Sequence, residues 1–434
     1  MLVYEFKLKG KQQQFTLIDE AIRTALFVRN SCIRYWMDNP KVGKYDLSAY
    51  CKELAANFEW ANKLNSMARQ ASADRAWAAI SRFYSNCKKK VPGKTCTEPV
   101  LSVAVRAASP IGEGRSRSKG FPNFKKRGHS VEYKTTGWKL SDDRKHLTLT
   151  DGFEIGRLKL VGTYDLHFYQ IKDIKRVRLV KRADGYYAQF CIAVDRTIKV
   201  EPSKKVIGLD VGLNYFYTDS NGDKVENPRF LRKSEKALKR LQKRVSKKFK
   251  KGKPQSNNYK KARNKLARKH LKVSRQRKDF AVKLARCVIQ SNDVVVYEDL
   301  QVRNMVSQRV GRVSRLEATG EPVRVKNHKL AKSISDASWY QFRCWLEYFG
   351  KVYGKITIAV PPHWTSQNCS NCGETVVKTL STRTHECPHC GTVLDRDENA
   401  ALNILAKGLS TTGHVGTNAW EENDLWKGSG NRFR

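Results

Sequence analysis

Two Cys-x-x-Cys pairs constrain the fold of this chain more than any other part of its sequence. Cys369 and Cys372 form the first pair, and Cys387 and Cys390 form the second pair after 14 intervening residues. Each pair is followed directly by a glycine, so each can form a knuckle turn in which two thiolates face one tetrahedral ion. Because thiolates favour Zn²⁺ over harder cations, the spacing predicts a four-cysteine zinc ribbon.

Four cysteine ligands would fill the coordination shell of the zinc ion, so the predicted metal is structural and not catalytic. For the same reason His385 and His389, which lie close to the second pair, are not expected to be ligands. The alternatives are two unrelated thiol pairs or a disulfide. A disulfide is disfavoured because the other seven of the 11 cysteines are scattered, which is typical of reduced thiols in a cytosolic protein.

The balance of charge predicts a polyanionic partner. The sequence carries 84 Lys and Arg against 41 Asp and Glu, a formal net charge of +43, whereas a small domain usually carries roughly 2–8. Hydrophobic residues make up 40% of the chain, which is enough to form real cores, so the excess charge does not belong to a disordered tail. Clustered cations gain counterion-release free energy on nucleic acid, which makes RNA or DNA the expected partner.

The start of the sequence and its hydropathy predict a cytoplasmic location. The first segment, MLVYEFKLKGKQQQF, is strand-like and polar and contains no apolar signal-peptide core. No run approaches the ~18 apolar residues that a transmembrane helix needs. An integral membrane protein, a membrane partner and a secreted disulfide scaffold are therefore not expected.

The densest charge lies in residues 232–279, where 22 Lys or Arg accompany two acids, Glu235 and Asp279. Apolar residues recur there at helical spacing, and residues 252–258 interrupt them before a second basic helix over residues 259–290. Because so much like charge repels itself unless a polyanion lies on it, we predict a basic helical hairpin that contacts nucleic acid. A solvated surface face is the alternative. The candidate contact residues are Lys239, Arg240, Lys243, Arg244, Lys247, Lys248, Arg275 and Arg277.

Hydrophobic periodicity divides the first 200 residues into strands and helices. Residues 1–12 alternate between apolar and polar side chains, and the period is again two from residue 121 onward, so both stretches predict strands. Between them, residues 17–37 and 48–84 repeat with the helical period. A turn at Ala183-Asp184-Gly185 predicts a hairpin, because Asp-Gly supplies the positive φ that such turns need.

The middle of the chain alternates strands with helices, which is typical of an α/β core. Residues 203–219 predict two strands joined by a tight turn, and residues 293–298 and 355–360 predict one strand each. A helix is predicted over residues 336–350. The polar residues 303–329 are predicted to form a mobile loop.

Three acids stand at the edges of these core elements. Asp210 and Glu298 end predicted strands, and Asp397 begins a helix after the second cysteine pair. Three convergent carboxylates suit hard divalent cations such as Mg²⁺, and two such ions about 3.5–4 Å apart can activate a water and stabilise the leaving 3′ oxygen in phosphodiester hydrolysis. An acid at a strand end is more often a surface or capping residue, and Asp395 and Asp299 compete with two of the three for the same role.

Several segments, taken in order, resemble the TnpB family of transposon-encoded RNA-guided nucleases, whose catalytic domain is shared with compact type V CRISPR effectors. The segments are VIGLDVGLN, VVVYEDLQVRNM, HWTSQNCSNCGE, CPHCG and LDRDENAALNILAKG. They cover residues 200–410 closely, while LNSMARQASADRAWAAISRFYSN and GFPNFKKRGHSVEYK match the amino-terminal part more loosely. The motifs are specific because the acids and the zinc knuckles recur together in the family's order.

The resemblance implies an RNA-guided DNA endonuclease. A guide RNA would find double-stranded target DNA beside a short motif, and a single RuvC site would hydrolyse a phosphodiester bond with metal ions. Asp210, Glu298 and Asp397 would bind two catalytic Mg²⁺, and Arg383 would contact the scissile strand.

The resemblance also implies an α/β multi-domain fold. An N-terminal β-barrel-like module with a helical insertion would precede an RNase H-like (RuvC) nuclease domain that contains the inserted four-cysteine zinc ribbon. Within the insertion, Ser66 and Gln70 would read the motif beside the target; the alternative is an ordinary exposed helix face. The expected domains are a β-rich RNA/DNA-binding module at 1–15 and 121–200, a helical recognition insertion at 16–120, the nuclease domain at 201–365 and 393–410, the zinc ribbon at 366–392 that binds target nucleic acid, and a flexible C-terminal tail at 411–434.

Other functions stay open, and a monomer is the expected state. A nuclease-dead RNA-guided DNA binder would need the same basic surfaces but no acids, and a nicking RNA-guided DNA binder is a further alternative. A small type V CRISPR effector would take a CRISPR-derived guide, and the length of the chain, somewhat long for a TnpB, leaves this alternative open. Residues 306–325 look longer than the family's usual link, which would alter how a lid covers the active site. A DNA transposase that joins strands would also use acids and metal, but the sequence shows no recognisable tyrosine nucleophile in a His-containing motif.

Overall fold

The computed structural model describes residues 1–39, 41–89, 121–307, 328–379 and 382–411. The chain divides into two compact units, Met1–Asp195 and Arg196–Arg434. Within the described ranges, none of the helices is both long enough and apolar enough to cross a bilayer. Most of the expected loop extension at 306–325 and of the expected tail at 411–434 lies outside the described residues.

The first unit contains a seven-stranded antiparallel sheet whose strand order is β2-β6-β7-β1-β5-β4-β3. The strands are β1 (Leu2–Lys9), β2 (Ser130–Lys134), β3 (Trp138–Leu140), β4 (His146–Leu149), β5 (Arg157–Val161), β6 (Ile174–Arg182) and β7 (Gly185–Ile192). Laid flat, its edge strands would stand about 29 Å apart. The edge strands β2 and β3 are nevertheless joined by only Thr135–Gly137, which spans at most about 14 Å. The sheet therefore curls until its two edges approach each other.

The predicted hairpin joins β6 to β7. Arg182 pairs with Gly185 across a two-residue turn, and Gly185 has φ +137. A residue with a Cβ rarely adopts that φ, which is why the turn needs glycine. The hairpin prediction is confirmed.

Four helices belong to the same unit: α1 (Gln12–Asp38), α2 (Lys44–Asn57), α3 (Glu59–Asn62) and α4 (Ser66–Lys88). The region predicted as helical at 48–84 is therefore broken at two points. Asn65 caps α4 by accepting the backbone N–H of Met67 at 2.8 Å. Arg69 holds the preceding turn, because its guanidinium donates to the carbonyls of Asn62 at 2.9 Å and Leu64 at 2.6 Å.

The second unit is built on a five-stranded sheet with the order β10-β9-β8-β11-β12. The strands are β8 (Val206–Val211), β9 (Tyr215–Asp219), β10 (Lys224–Glu226), β11 (Val294–Glu298) and β12 (Ile356–Val360). The first three form an antiparallel meander, whereas β8, β11 and β12 run parallel. The strands predicted at 203–219, 293–298 and 355–360 are all present.

Helices cover both faces of this sheet. They are α5 (Phe230–Lys248), α6 (Asn257–Ser291), α7 (Val302–Ser307), α8 (His328–Ala337), α9 (Trp339–Tyr353) and α10 (Arg396–Thr411). Val295 and Tyr297 of β11 pack in the core that holds α6 and α9, while Val294 and Val296 pack in the core that holds Ile404 of α10. Burial on both faces explains why this strand is a continuous apolar run.

Two predictions in this unit need correction. The helix predicted at 336–350 is wrong at its start, because Asp336 belongs to α8 and Ser338, with φ +60, separates α8 from α9. The predicted loop at 303–329 is helical at both of its ends, in α7 and α8. The basic helical hairpin is present as α5 and α6, with Leu238 and Val245 of α5 buried.

Candidate functional site

Three carboxylates meet at one end of the five-stranded sheet. β8 and β11 are parallel neighbours with Leu209 opposite Tyr297, so Asp210 and Glu298 follow at the same end of adjacent strands. Asp397 lies in the first turn of α10, and its charge acts directly on the carboxyl group of Asp210. The structure thus brings together three acids that are separated by 88 and 99 residues in the chain.

Close packing of α10 on β8 places the first turn of this helix beside Asp210. A Cβ atom on Gly208 would collide with the backbone oxygen of Ala401 and would lie 2.9 Å from the Cβ of Leu405. Gly408 makes a similarly close approach to Val296 of β11. The helix can therefore lie against the two strands only because both positions lack a side chain.

The surroundings of Asp210 and Glu298 disfavour their charged forms. Burial raises the pKa of Asp210 well above its usual value, and the charges of Glu298 and Asp397 raise it further. Burial also raises the pKa of Glu298, although the hydroxyl of Thr365 donates to its Oε1 at 2.7 Å and favours the charged form. Carboxyl groups gathered in this way favour protons or cations between them.

Two arginines hold Asp397. Arg383 approaches its Oδ2 at 3.5 Å through Nη1, and its side chain is half exposed. Arg396, which the sequence analysis did not single out, donates to Oδ1 through Nε at 3.0 Å and Nη2 at 2.8 Å. Arg396 directly precedes Asp397 in the chain, and this adjacency is the one sequence feature that could have predicted the contact.

The two competing acids have other partners. Asp395 forms an ion pair with Lys224 at 2.7 Å and accepts the backbone N–H of Asp397 at 2.9 Å. Asp299 forms an ion pair with Arg343. Both carboxylates are therefore engaged in structural contacts.

The four cysteines form a compact cluster next to this site. Their Sγ atoms all lie within 4.8 Å of one another, and the Sγ atoms of Cys369 and Cys390 are 3.6 Å apart, as are those of Cys372 and Cys387. Four thiolates at the usual Zn–S distance form a tetrahedron with edges of about 3.8 Å, so the donor set fits zinc. No other group of three or more potential metal ligands with this spacing occurs among the described residues.

Each cysteine pair occupies a turn of the same shape. The N–H groups of Gly373 and Gly391 each donate to the carbonyl of the first cysteine of their pair at 2.9 Å. Both glycines have positive φ, +80 and +70, which explains why a glycine follows each pair. The second turn connects strands β13 (Thr384–Glu386) and β14 (Val393–Asp395), which pair antiparallel. His385, not expected to be a ligand, is fully buried in this hairpin.

Two asparagines of α10 connect the cysteine cluster to the carboxylates, and the sequence analysis missed both. Asn399 is fully buried; it accepts the N–H of Ser370 at 2.9 Å and donates to the carbonyl of Asn368 at 2.8 Å. Asn403 donates to the carbonyls of Asn368 at 2.7 Å and Thr365 at 2.9 Å. The helix that carries Asp397 is thus tied to the first knuckle and to the residue that holds Glu298.

The predicted nucleic-acid contacts fall into different environments. Ser66 is the exposed first residue of α4, and Gln70 follows one turn later, half-buried. Arg277 differs from the other cations of the hairpin, because its guanidinium donates to Asp336 at 2.8 and 3.0 Å. The exposed candidates are Lys239, Arg240, Lys243, Arg244, Lys247, Lys248 and Arg275.

The fold and the site define an α/β protein with a convergent acidic site and an adjacent four-cysteine cluster. Two family models match the chain: OrfB_IS605, described as "Probable transposase", over residues 189–309, and the Cas12f1-like TNB domain over residues 339–404. The chain is 32% identical over 290 residues to "Putative RNA-guided DNA endonuclease InsQ" of Escherichia coli (strain K12), which covers 66% of this chain and 68% of the relative. The chain belongs to the TnpB family.

Other relatives match over a shorter part. The chain is 38% identical over 209 residues to "Putative RNA-guided DNA endonuclease" of Streptomyces pristinaespiralis, where the match spans 48% of this chain and 46% of the relative. Among solved structures, a Cas12f1–sgRNA–target DNA complex aligns with a TM-score of 0.48 and 14% identity, over 90% of this chain and 82% of that one.

Proposed function

We propose that this chain is an RNA-guided DNA endonuclease that hydrolyses target DNA at Asp210, Glu298 and Asp397. The observation that carries the proposal is the convergence of these acids at one end of a sheet, two at the ends of neighbouring parallel strands and one in the first turn of α10. Both relatives described above bear the name "Putative RNA-guided DNA endonuclease", and the more fully aligned of them matches 66% of this chain.

The strand order supports an RNase H-like (RuvC) nuclease domain at 201–365 and 393–410. An antiparallel meander of three strands followed by two parallel strands is the arrangement expected of that fold, and here it is β10-β9-β8-β11-β12. The curled sheet of the first unit supports a barrel-like module at 1–15 and 121–200, with the helical insertion at 16–120. The four-cysteine segment at 366–392 would be the inserted ribbon that binds target nucleic acid.

Three converging acids offer the oxygen ligands that Mg²⁺ prefers, although their oxygen atoms do not all lie within 4.8 Å of one another as the four Sγ atoms do. When bound, two such ions would activate a water and stabilise the leaving 3′ oxygen of the phosphodiester. Thr365 orients Glu298 through its hydrogen bond, and Arg396 fixes the carboxylate of Asp397. Arg383, more exposed than Arg396, would contact a phosphate of the scissile strand.

The cysteine cluster would hold one structural Zn²⁺. With four protein ligands the ion keeps no open position, so it would stabilise the ribbon and take no part in hydrolysis. Through Asn399 and Asn403 the same ribbon supports the helix that carries Asp397.

The exposed cations of α5 would bind the phosphates of the guide RNA and of its duplex with the target. Base pairing would supply sequence specificity, and the protein would read only a short neighbouring motif and the duplex shape. Ser66 and Gln70 lie one turn apart on α4 and so share a face, which suits that reading role.

The decisive experiment replaces Asp210 in protein purified with the RNA that copurifies with it. Asp210→Ala should lower the rate of cleavage of a matched DNA duplex in Mg²⁺ by at least about 10³-fold, while the Kd for RNA and for the duplex stays close to that of the wild type. Asp279→Ala is the control: it removes an exposed carboxylate of α6, whose side chain is 64% exposed.

Full cleavage by Asp210→Ala would refute the site. If the wild-type complex binds the matched duplex but leaves it intact in Mg²⁺, the chain is a nuclease-dead binder, and a single cut strand would identify a nicking enzyme. Sequencing the copurified RNA tells a transposon-derived guide from one derived from a CRISPR array.

A further inference from the structure

A cavity of about 210 Å³ in the first unit is lined by cations and, among the described residues, by no acid. It lies between α1, α4 and the segment 125–130. The cationic and hydroxyl-bearing side chains that line it are Arg29, Arg75, Lys125, Arg127, Ser72 and Ser130.

The two arginines of the cavity have neutral partners. Arg29 is 94% buried, and its guanidinium donates to Oδ1 of Asn30 at 2.9 Å and more weakly to the carbonyl of Asn123 at 3.4 Å. Arg75 donates to the carbonyl of Ser130 at 3.2 Å and to its hydroxyl at 3.1 Å. In the part of the chain that the structure describes, no ion pair includes either arginine.

Lys125, the third cation, lies at the cavity because its segment packs closely against α1. A Cβ on Gly128 would lie 3.1 Å from Cγ2 and 3.2 Å from the carbonyl oxygen of Ile22, so the segment that contains Lys125 runs against α1. Asn30 fixes it there, since its side chain donates to the carbonyl of Lys125 at 2.9 Å and accepts its N–H at 3.1 Å.

The charge of Arg75 acts on both of the other cations. Burial lowers the pKa of Arg29, and the charge of Arg75 lowers it further. Burial lowers the pKa of Lys125 as well, with contributions from both arginines. The acid that acts on Arg75 is Glu132, and it already accepts hydrogen bonds from two other arginines. Partly desolvated like charges are unfavourable unless an anion neutralises them.

We propose that Arg29, Arg75 and Lys125 bind one phosphate group of a nucleic-acid strand. The planar guanidinium groups match phosphate oxygens with paired N–H donors, and the lysine adds a point charge from the exposed side. The assignment to nucleic acid, and not to a free phosphate, rests on the proposed function. The cavity lies in the unit that does not contain the carboxylates, so the contact would position a strand and would not cleave it.

The test compares Arg75→Gln with Arg23→Gln in the full chain. Arg23 lies on α1, is exposed and pairs with Glu20 at 3.2 Å, so its replacement removes the same charge outside the cavity. All proteins carry Asp210→Ala to prevent cleavage. One arm measures the Kd of RNA-free protein for the RNA that copurifies with the wild type, and the other measures the Kd of RNA-loaded protein for a DNA duplex. Both use fluorescence anisotropy from about 50 to about 200 mM NaCl.

Arg75→Gln should weaken binding in one arm about tenfold and reduce the slope of log K against log salt by about 1, whereas Arg23→Gln leaves both near the wild-type values. The arm that responds tells whether the phosphate belongs to RNA or to DNA. Lys125→Gln, at an exposed position, should give the same change in the same arm without disturbing packing. Because the residues share one phosphate, the double variant should lose no more than about one unit of slope.

Equal behaviour of Arg75→Gln, Lys125→Gln and Arg23→Gln in both arms would overturn the proposal. It would also be overturned if inorganic phosphate raised the Tm of the wild type but not of Arg75→Gln while neither arm changed, because the cavity would then hold a free phosphate. Both arms are measured without added divalent cations, so the duplex stays intact and the result stays readable even if the assignment of Asp210 is wrong.

Discussion

At the scale of the residue, the same type of side chain has different surroundings at neighbouring positions. Arg277 and Lys243 both belong to the basic hairpin, and the sequence predicts nucleic-acid contact for both. Asp336 is buried and accepts the backbone N–H of Leu231 at 2.9 Å and of Arg232 at 3.2 Å in addition to the guanidinium of Arg277. Arg277 therefore joins α6 to α8 and to the start of α5, whereas Lys243 is exposed.

Arg277→Gln should lower the free energy of unfolding by about 3 kcal/mol, because it leaves the buried carboxylate of Asp336 without its counter-charge. Lys243→Gln should change it by less than about 0.5 kcal/mol while weakening RNA binding. Urea unfolding followed by circular dichroism measures the first quantity, and anisotropy measures the second. If Arg277→Gln unfolds like the wild type, the ion pair has no structural role.

The sequence identified the three acids and the four cysteines as candidate site residues. It did not identify the residues that hydrogen-bond to them or to their neighbours. The spacing of the cysteines is local, and Asp210, Glu298 and Asp397 each stand at an element boundary that periodicity can locate. The supports Thr365 and Asn399 act on residues 67 and 29 positions away in the chain. No local pattern reports a hydrogen bond of that kind, because it depends on which elements become neighbours after folding.

At the scale of the element, α10 and the cysteine segment depend on each other. The buried Asn399 bonds to residues on both sides of Cys369, so the first knuckle and the first turns of the helix are fixed together. The helix predicted at 336–350 misses the break at Ser338. Apolar periodicity in the sequence does not show that one helix ends and another begins there. The strands, by contrast, follow directly from apolar periodicity and from turns with glycine.

Replacement of one cysteine should release the predicted zinc. Cys387→Ser should reduce the zinc content from about one ion per chain to near zero, because a structural site needs all four thiolates. Cys287→Ser removes an exposed cysteine outside the cluster and should leave the zinc content unchanged. Mass spectrometry of the purified proteins for metal measures both. Full zinc occupancy in Cys387→Ser would show that this thiolate is not a ligand.

At the scale of the whole molecule, a formal charge of +43 resists compaction unless it is neutralised. The exposed cations of α5 lie on one helix with a narrow buried stripe of Ser234, Leu238 and Val245. The exposed side of the helix can face a polyanion, and its affinity for one should depend strongly on salt.

Replacement of Lys243, Arg244 and Lys247 together by glutamine should reduce the slope of log K against log salt for RNA binding by about 2–3. The change should be the same for RNAs of unrelated sequence, since phosphate contacts carry no sequence information. Anisotropy titrations at several NaCl concentrations, with circular dichroism to confirm folding, measure it. An unchanged slope would mean that this face of α5 stays in solvent.

The fit of α10 against Gly208 has a consequence for the order in which the protein is made. The ribosome delivers Asp210 and Glu298 long before Asp397, because the helix that carries the third acid comes about 190 residues after the strand on which it packs. At a synthesis rate of roughly 5–20 residues per second, that interval lasts about ten seconds or more. A nascent or prematurely terminated chain thus carries the slot beside Gly208 without the helix that fills it, and it lacks the third carboxylate of the site.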